Sequence, residues 1–116
     1  MSDVVIYHNP RCGTSRNVLA MIRETGVEPT VVEYLQTGWD EAELRSLLTR
    51  MRARPADIMR IKDTQADALG LTMAGVSDDA IIGAMTADPA LVERPIVVTQ
   101  KGAALCRPKE RVLDLL

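Results

Sequence analysis

The first 34 residues contain a strand, a loop, a helix and a second strand, and this order restricts the folds open to the chain. The apolar run at residues 4–6 leads into a loop that carries Cys12, and an amphipathic helix is predicted from about Ser15 to Thr25. Gly26 suits the C-terminal cap of that helix, and the β-branched run from Thr30 to Tyr34 predicts the second strand. Two short strands joined by a helix predict a parallel, right-handed β-α-β unit.

The middle of the chain is predicted to be helical. Asp40 is a suitable N-cap for a helix with an apolar stripe, Arg54-Pro55 opens a short helix, and Ser77 is the N-cap of a third helix that ends near Asp88-Pro89. Residues 62–75 are weakly patterned and predict turns and loop. The apolar faces of the two longer helices consist of Leu44, Leu47, Leu48, Met51, Ile81, Ile82 and Met85.

A hairpin and a last helix complete the pattern. A strand begins at Pro95, turns near Gly102 and returns to Cys106, and Pro108 opens a helix whose Val112, Leu113 and Leu116 are expected to face the core. We therefore predict one α/β domain over residues 1–116, with a small mixed sheet covered by helices in the order β-α-β, helical insertion, β-β-α. The thioredoxin fold is the familiar member of this class.

Composition excludes several classes of function. The chain has 116 residues, a net charge of -2 and only 3% aromatic residues. We therefore expect it to bind neither nucleic acid nor an anionic membrane. Residues 1–3 lack the basic segment of a signal peptide, and no apolar run approaches the ~20 residues that span a bilayer. Two distant cysteines and one histidine predict no metal site and no disulfide. A cytoplasmic protein is expected.

Cys12 is the predicted nucleophile because it lies where a helix begins. Unpaired N–H groups and the positive end of the helix dipole lower the pKa of a thiol at this position. His8 lies four residues earlier, where its cation would favour the thiolate, although a histidine bonded only to backbone fits the same position. Ser15 either caps the helix or donates to a bound oxyanion. Cys106 is expected to be a core residue, with a resolving thiol as the alternative.

Three arginines are candidates for binding an oxyanion. Arg94 precedes the first strand of the hairpin and Arg107 follows the second, so both are expected at one end of the sheet. If the Cys12 loop shares that end, Arg60, Arg94 and Arg107 are able to surround a tetrahedral anion with planar sets of donors. The Arg94-Pro95 bond is a candidate cis peptide, although trans is the ordinary form.

These motifs resemble the glutaredoxin-coupled arsenate reductases of the thioredoxin-fold superfamily. The similarity covers residues 5–10 and 12–17, then Met59-Arg60, residues 94–99 and residues 105–108. The resemblance implies that Cys12 is the nucleophile of arsenate reduction and that His8 helps to hold it as a thiolate. It also implies that Arg60, Arg94 and Arg107 bind the oxyanion, with Ser15 as an additional contact.

The resemblance further implies glutathione as co-substrate and glutaredoxin as partner, with no bound cofactor. The family needs only one protein cysteine, which agrees with Ser15 at the place of the second thiol of a Cys-x-x-Cys pair. Relatives carry a longer C-terminal segment, so glutaredoxin docking and substrate closure stay open. Two alternatives also remain: a redox-responsive regulator that binds RNA polymerase, and a thiol reductase acting on another glutathione-linked substrate.

Overall fold

The computed structural model describes residues 3–116, which form two compact units. The first combines the described part of Met1–Thr37 with Arg94–Leu116, and the second is Gly38–Glu93. Met1 and Ser2, on which part of the signal-peptide prediction rests, lie outside the described residues. Among residues 3–116, no helix combines the length and the apolar character that crossing a bilayer requires.

The first unit contains a four-stranded mixed sheet in the order β2-β1-β3-β4. Strand β1 is parallel to β2 and antiparallel to β3, and β3 forms a hairpin with β4. This confirms the predicted β-α-β unit, the hairpin and the thioredoxin-like sheet. The elements are β1 (Val5–Tyr7), α1 (Gly13–Glu24), β2 (Thr30–Val32), the short helix α2 (Tyr34–Thr37), β3 (Ile96–Thr99), β4 (Gly102–Leu105) and a 3-10 helix (Lys109–Asp114).

The strand register brings three loops to one end of the sheet. Tyr7, the last residue of β1, pairs with Ile96, the first residue of β3, and Ile96 also pairs with Leu105 at the end of β4. The chain leaves β1 toward Cys12, enters β3 from Arg94 and leaves β4 toward Arg107. These three segments therefore meet at the same end of the sheet, where the sequence predicted Arg94 and Arg107 to lie.

The core of this unit lies between the sheet, α1 and the last 3-10 helix. Val18 and Ile22, one turn apart on α1, are both fully buried. The i, i+4 spacing puts their side chains on one face of the helix, which packs against the sheet. Packing of α1 fixes the position of its N-terminus, where the Cys12 loop ends. The core cluster consists of Val4, Ile6, Val18, Ile22, Val97, Cys106 and Val112.

The second unit is helical, as predicted. Asp40 Oδ2 accepts a hydrogen bond from Glu43 N–H at 3.3 Å, and Ser77 Oγ accepts one from Ala80 N–H at 3.1 Å, so both predicted N-caps are confirmed. Residues 61–76 form turns and bends without a helix or strand. The elements are α3 (Glu41–Met51), a 3-10 helix (Pro55–Ile58), α4 (Asp78–Ala87) and a second 3-10 helix (Pro89–Leu91).

Two predicted element ends and one predicted burial differ clearly from the structure. Helix α1 begins at Gly13 rather than Ser15, and β2 ends at Val32 rather than Tyr34. The second difference arises because Val32 pairs with Tyr7, the last residue of β1. The third is Leu113, which was expected to face the core but is 57% exposed. The terminal helix is of the 3-10 type, and with three residues per turn a buried Val112 directs its neighbour outward.

Candidate active site

Backbone hydrogen bonds shape the loop that presents Cys12. Asn9 accepts two of them: its carbonyl accepts from Cys12 N–H at 3.0 Å, and its side-chain Oδ1 accepts from Arg11 N–H at 2.9 Å. Arg16 Nη1 donates to the Pro10 carbonyl at 2.9 Å. Cys12 has extended backbone angles (φ -94°, ψ 121°) and is the N-cap of α1, so its side chain lies beside the free N–H groups of the first helical turn.

His8 and Ser15 form a buried pair beneath this loop. His8 Nδ1 lies 2.6 Å from Ser15 Oγ, which also accepts a hydrogen bond from the backbone N–H of Asn9 at 3.1 Å. Ser15 is fully buried, so in this structure its hydroxyl holds the loop against the end of β1. A direct contact between Ser15 and an oxyanion stays a prediction.

Arg94 and Arg107 both lie beside Cys12. Arg107 Nη1 lies 3.8 Å from Cys12 Sγ and donates to the Arg94 carbonyl at 3.1 Å. The side chains of both arginines are only partly exposed. The Arg94-Pro95 bond is cis, as is the Arg107-Pro108 bond. The structure thus brings together the predicted nucleophile and two of the three predicted guanidinium groups.

The surroundings of Cys12 lower its pKa below the ordinary value of a thiol. Burial raises the pKa, but the backbone N–H of Ser15 and the guanidinium groups of Arg94 and Arg107 lower it by a larger amount. The Ser15 N–H acts on the sulfur although Cys12 forms no side-chain cap hydrogen bond of ordinary geometry. A thiolate is therefore favoured at this position, where it is flanked by two cations that do not lose their charge at physiological pH.

The pKa of His8 is also below its ordinary value. Burial is the largest cause of the lowering. The Glu33 carboxylate raises the pKa of His8, and the cations Arg23 and Arg16 lower it further. A lowered pKa favours the neutral imidazole at neutral pH. The expected role of His8 as a cation that favours the thiolate stays a prediction, and the observed contact of its ring is with Ser15.

Arg60 belongs to the second compact unit. Its Nη1 donates to Glu93 Oε1 at 2.8 Å and its Nε donates to the Lys62 carbonyl at 3.1 Å. The Arg60–Glu93 ion pair is largely buried, with 13% and 20% of the two side chains exposed. An oxyanion would have to compete with this carboxylate for the guanidinium. The predicted contact between Arg60 and an oxyanion stays a prediction.

Comparison with known proteins gives the family. The model of the ArsC family matches residues 7–115. The chain belongs to the ArsC family. An arsenate reductase from Escherichia coli is 47% identical over 116 residues, which are all of this chain and 82% of that protein. An arsenate reductase from Rhizobium meliloti is 49% identical over 113 residues, 97% of this chain and 81% of that protein.

Solved structures agree with this membership of the ArsC family. The structure of an arsenate reductase from Vibrio cholerae superposes with a TM-score of 0.92 at 41% sequence identity. The similarity covers 97% of this chain and 97% of that chain. The thioredoxin-like α/β fold that the sequence predicted is therefore shared with that protein.

The second cysteine of this ArsC-family chain is a core residue, as predicted. Cys106 is fully buried, and its Sγ contacts the Ala104 carbonyl at 3.7 Å. Burial raises the pKa of Cys106 to about 12, so it remains a protonated thiol at neutral pH. Among residues 3–116, no group of three or more His, Cys, Asp or Glu side chains is placed to hold a metal ion.

Sequence reasoning did not assign a role to Asn9 or Arg16. Asn9 shapes the loop through its side chain, which accepts from the N–H two residues later, and an Asn-Pro pair before a cysteine is a recognisable signal for such a turn. Arg16 holds the other side of the loop through the Pro10 carbonyl. That contact depends on the conformation of the folded loop, so the sequence gives no direct signal for it.

Proposed function

We propose that this protein is an arsenate reductase in which Cys12 attacks arsenate while Arg94 and Arg107 hold the oxyanion. The observation that carries the proposal is the position of the two guanidinium groups beside a thiol whose pKa they lower. Guanidinium groups bind the planar O–X–O edges of tetrahedral oxyanions through paired N–H donors. The names of the relatives in the ArsC family support arsenate as the oxyanion.

The first chemical step is substitution at arsenic. The Cys12 thiolate forms an S–As bond, and one arsenate oxygen leaves as water after it is protonated. The negative charge on the remaining oxygens faces Arg94 and Arg107, which are positively charged before substrate arrives and require little reorganisation. Arg60 is proposed as a third contact to the oxyanion, and its Glu93 partner would have to yield for that contact to form.

Glutathione is the proposed reductant. Its thiolate attacks Cys12 Sγ, the electron pair of the S–As bond moves to arsenic, and As(V) leaves as arsenite with As(III). The product on the protein is a disulfide between Cys12 and glutathione. Glutaredoxin then attacks the glutathione sulfur and releases the Cys12 thiolate. Each turnover thus uses two thiols for two electrons, and needs neither a second protein cysteine nor a bound cofactor.

A cytoplasmic location fits this proposal, because a reducing compartment keeps Cys12 and Cys106 as thiols and supplies glutathione. The part proposed for His8 is to support the loop and its thiolate through Ser15.

The test is release of arsenite from arsenate by the purified protein with glutathione, glutaredoxin and a system that recycles oxidised glutathione. We expect Cys12→Ser to abolish arsenite formation, because a serine hydroxyl cannot form the disulfide that reduces arsenic. Cys106→Ala is the matched control and should retain activity. Activity that survives in Cys12→Ser, or activity lost equally in both variants, would contradict the mechanism.

The same assay separates the alternatives. A thiol reductase for another substrate would reduce a small glutathione mixed disulfide but release no arsenite. A regulator would show neither reaction and would co-purify with RNA polymerase.

A further inference from the structure

Arg11 stands directly before the nucleophile and points a free charge into solvent. Its side chain is exposed and makes no hydrogen bond or ion pair with any residue from 3 to 116. Its backbone is nevertheless fixed, because its N–H donates to Asn9 Oδ1 at 2.9 Å. The cation is therefore held at a defined place beside Cys12 without a role in the fold.

Arg11 is part of a surface with an excess of positive charge around Cys12. This cationic rim consists of the exposed residues Pro10, Arg11, Gly13 and Arg16 around the partly exposed Cys12. The first turn of α1 contains no acidic residue, although carboxylates are favoured at a helix N-terminus. Residues 4–23 include three arginines and no Asp or Glu, while the whole chain has a net charge of -2.

Three exposed carboxylates lie near the rim, and one of them, Glu24, lines the same surface cavity as Pro10 and Arg16. Glu33 acts on the buried His8 ring, where it opposes the lowering of the pKa by burial. Glu28 forms an ion pair with Arg23 at 2.9 Å, which removes that arginine from the available charge. The positive charge next to Cys12 thus comes from Arg11 and Arg16, whereas Glu24 is the last residue of α1, about three turns from Cys12.

The exposure of these two arginines suits a large partner better than a small anion. Arg94 and Arg107 are partly buried and fixed around the sulfur, as a small oxyanion requires. Arg11 and Arg16 lie outside that position. Any protein that exchanges a thiol with Cys12 must bring its own sulfur to bonding distance, so its surface must cover the residues next to Cys12.

We propose that Arg11 and Arg16 form a docking surface for a thiol-exchange protein whose reactive cysteine is flanked by carboxylates. The inference rests on the proposed function, which requires such a protein to free Cys12 from its disulfide with glutathione. Charges at the rim of an interface act mainly on the association rate, and salt weakens their effect. The docking contacts are therefore distinct from the groups that activate the thiol.

The experiment follows one exchange step by stopped flow. The protein is prepared with Cys12 in a disulfide with glutathione and mixed with a glutaredoxin that carries carboxylates beside its reactive cysteine. The glutaredoxin thiolate attacks the glutathione sulfur, the protein disulfide breaks, and Cys12 leaves as a thiolate. We expect Arg11→Glu to lower the second-order rate constant about tenfold at low salt, and the difference to shrink as salt is added.

Lys101→Glu is the matched control. Lys101 is exposed in the β3–β4 hairpin, at the opposite end of the sheet from Cys12, so the same change in net charge falls outside the proposed interface. We expect its rate constant to stay within about twofold of the unmodified protein, because a charge more than a Debye length away is largely screened. A glutaredoxin variant with amides in place of its flanking carboxylates should lose sensitivity to Arg11→Glu.

Three results would contradict the proposed docking surface. One is an unchanged rate constant in Arg11→Glu, and another is an equal loss in Lys101→Glu. The third is a raised pKa for Cys12 in Arg11→Glu, measured by alkylation, because that would assign Arg11 to activation of the thiol. The exchange step needs no arsenate, so a failure of arsenate reduction leaves this measurement valid and is recognised separately.

Discussion

Replacing Arg107 by Gln tests whether its charge activates Cys12. Nη1 of Arg107 lies 3.8 Å from Cys12 Sγ and also donates to the Arg94 carbonyl at 3.1 Å. Glutamine retains an N–H donor on a shorter side chain and carries no charge, so the substitution removes the electrostatic contribution. We expect the pKa of Cys12 to rise and the thiolate population at neutral pH to fall.

The distance sets the size of the effect. At 3.8 Å, a positive charge stabilises a thiolate by about 1 kcal/mol in bulk water and by about 4 kcal/mol at an effective dielectric constant of about 20. Cys12 is partly exposed and Arg94 remains in the variant, so the lower part of this range applies. A loss of about 1.4 kcal/mol changes an equilibrium constant tenfold, and we expect alkylation of Cys12 below its pKa to slow about tenfold.

The assay is the pH dependence of iodoacetamide alkylation, followed by mass spectrometry of the peptide that contains Cys12. Lys101→Gln removes one cation at the far end of the sheet and is expected to leave the curve unchanged. If Arg107→Gln titrates at the same pH as the unmodified protein, the charge of Arg107 does not activate the thiol. Arg107 would then act through the Arg94 carbonyl and the bound oxyanion, without activating the thiol.

Three further predictions concern stability and reactivity. Ser15→Ala leaves the buried N–H of Asn9 without its acceptor and should cost about 1–3 kcal/mol in urea unfolding; an unchanged midpoint would contradict this role. Alkylation of the native protein should modify Cys12 alone, because Cys106 is buried and protonated. Burial raises the pKa of Cys106 to about 12, so the free energy of unfolding should fall as pH rises from the ordinary thiol range toward that value. Cys106→Ala should lack this alkaline loss. Asp40→Ala removes the N-cap of α3 and should cost about 1 kcal/mol, measured by the same unfolding.

The sequence predicted the order and pairing of the elements because local patterns determine them. The β-α-β unit, both N-caps of the long helices and the glycine turn of the hairpin depend on residue types at fixed spacing. Element ends depend on tertiary neighbours instead. Tyr34 has the β propensity of a strand residue, but the pairing of β1 with β2 ends at Tyr7 and Val32, and Tyr34 begins the short helix α2.

The site was predictable to the extent that sheet topology determines it. Arg94 and Arg107 flank the hairpin, and antiparallel pairing puts both at the end of the sheet where β1 ends. Their position beside Cys12 therefore followed from the order of the strands. The contact between His8 and Ser15 depends on rotamers and burial, which no spacing rule gives. Nor does the sequence indicate that Glu93 pairs with Arg60.

The protonation of His8 decides how Cys12 is held as a thiolate. A histidine cation would lose its effect as pH rises through the histidine range, whereas Arg94 and Arg107 keep their charge over the whole physiological range. Burial lowers the pKa of His8, which shifts the ring toward its neutral form, and the pKa of Cys12 is lowered as well. Its contact of 2.6 Å with Ser15 instead fixes the residue whose backbone N–H faces the sulfur. We therefore expect the activation of Cys12 to depend mainly on the two guanidinium groups and one positioned peptide N–H, and to persist as pH rises through the histidine range.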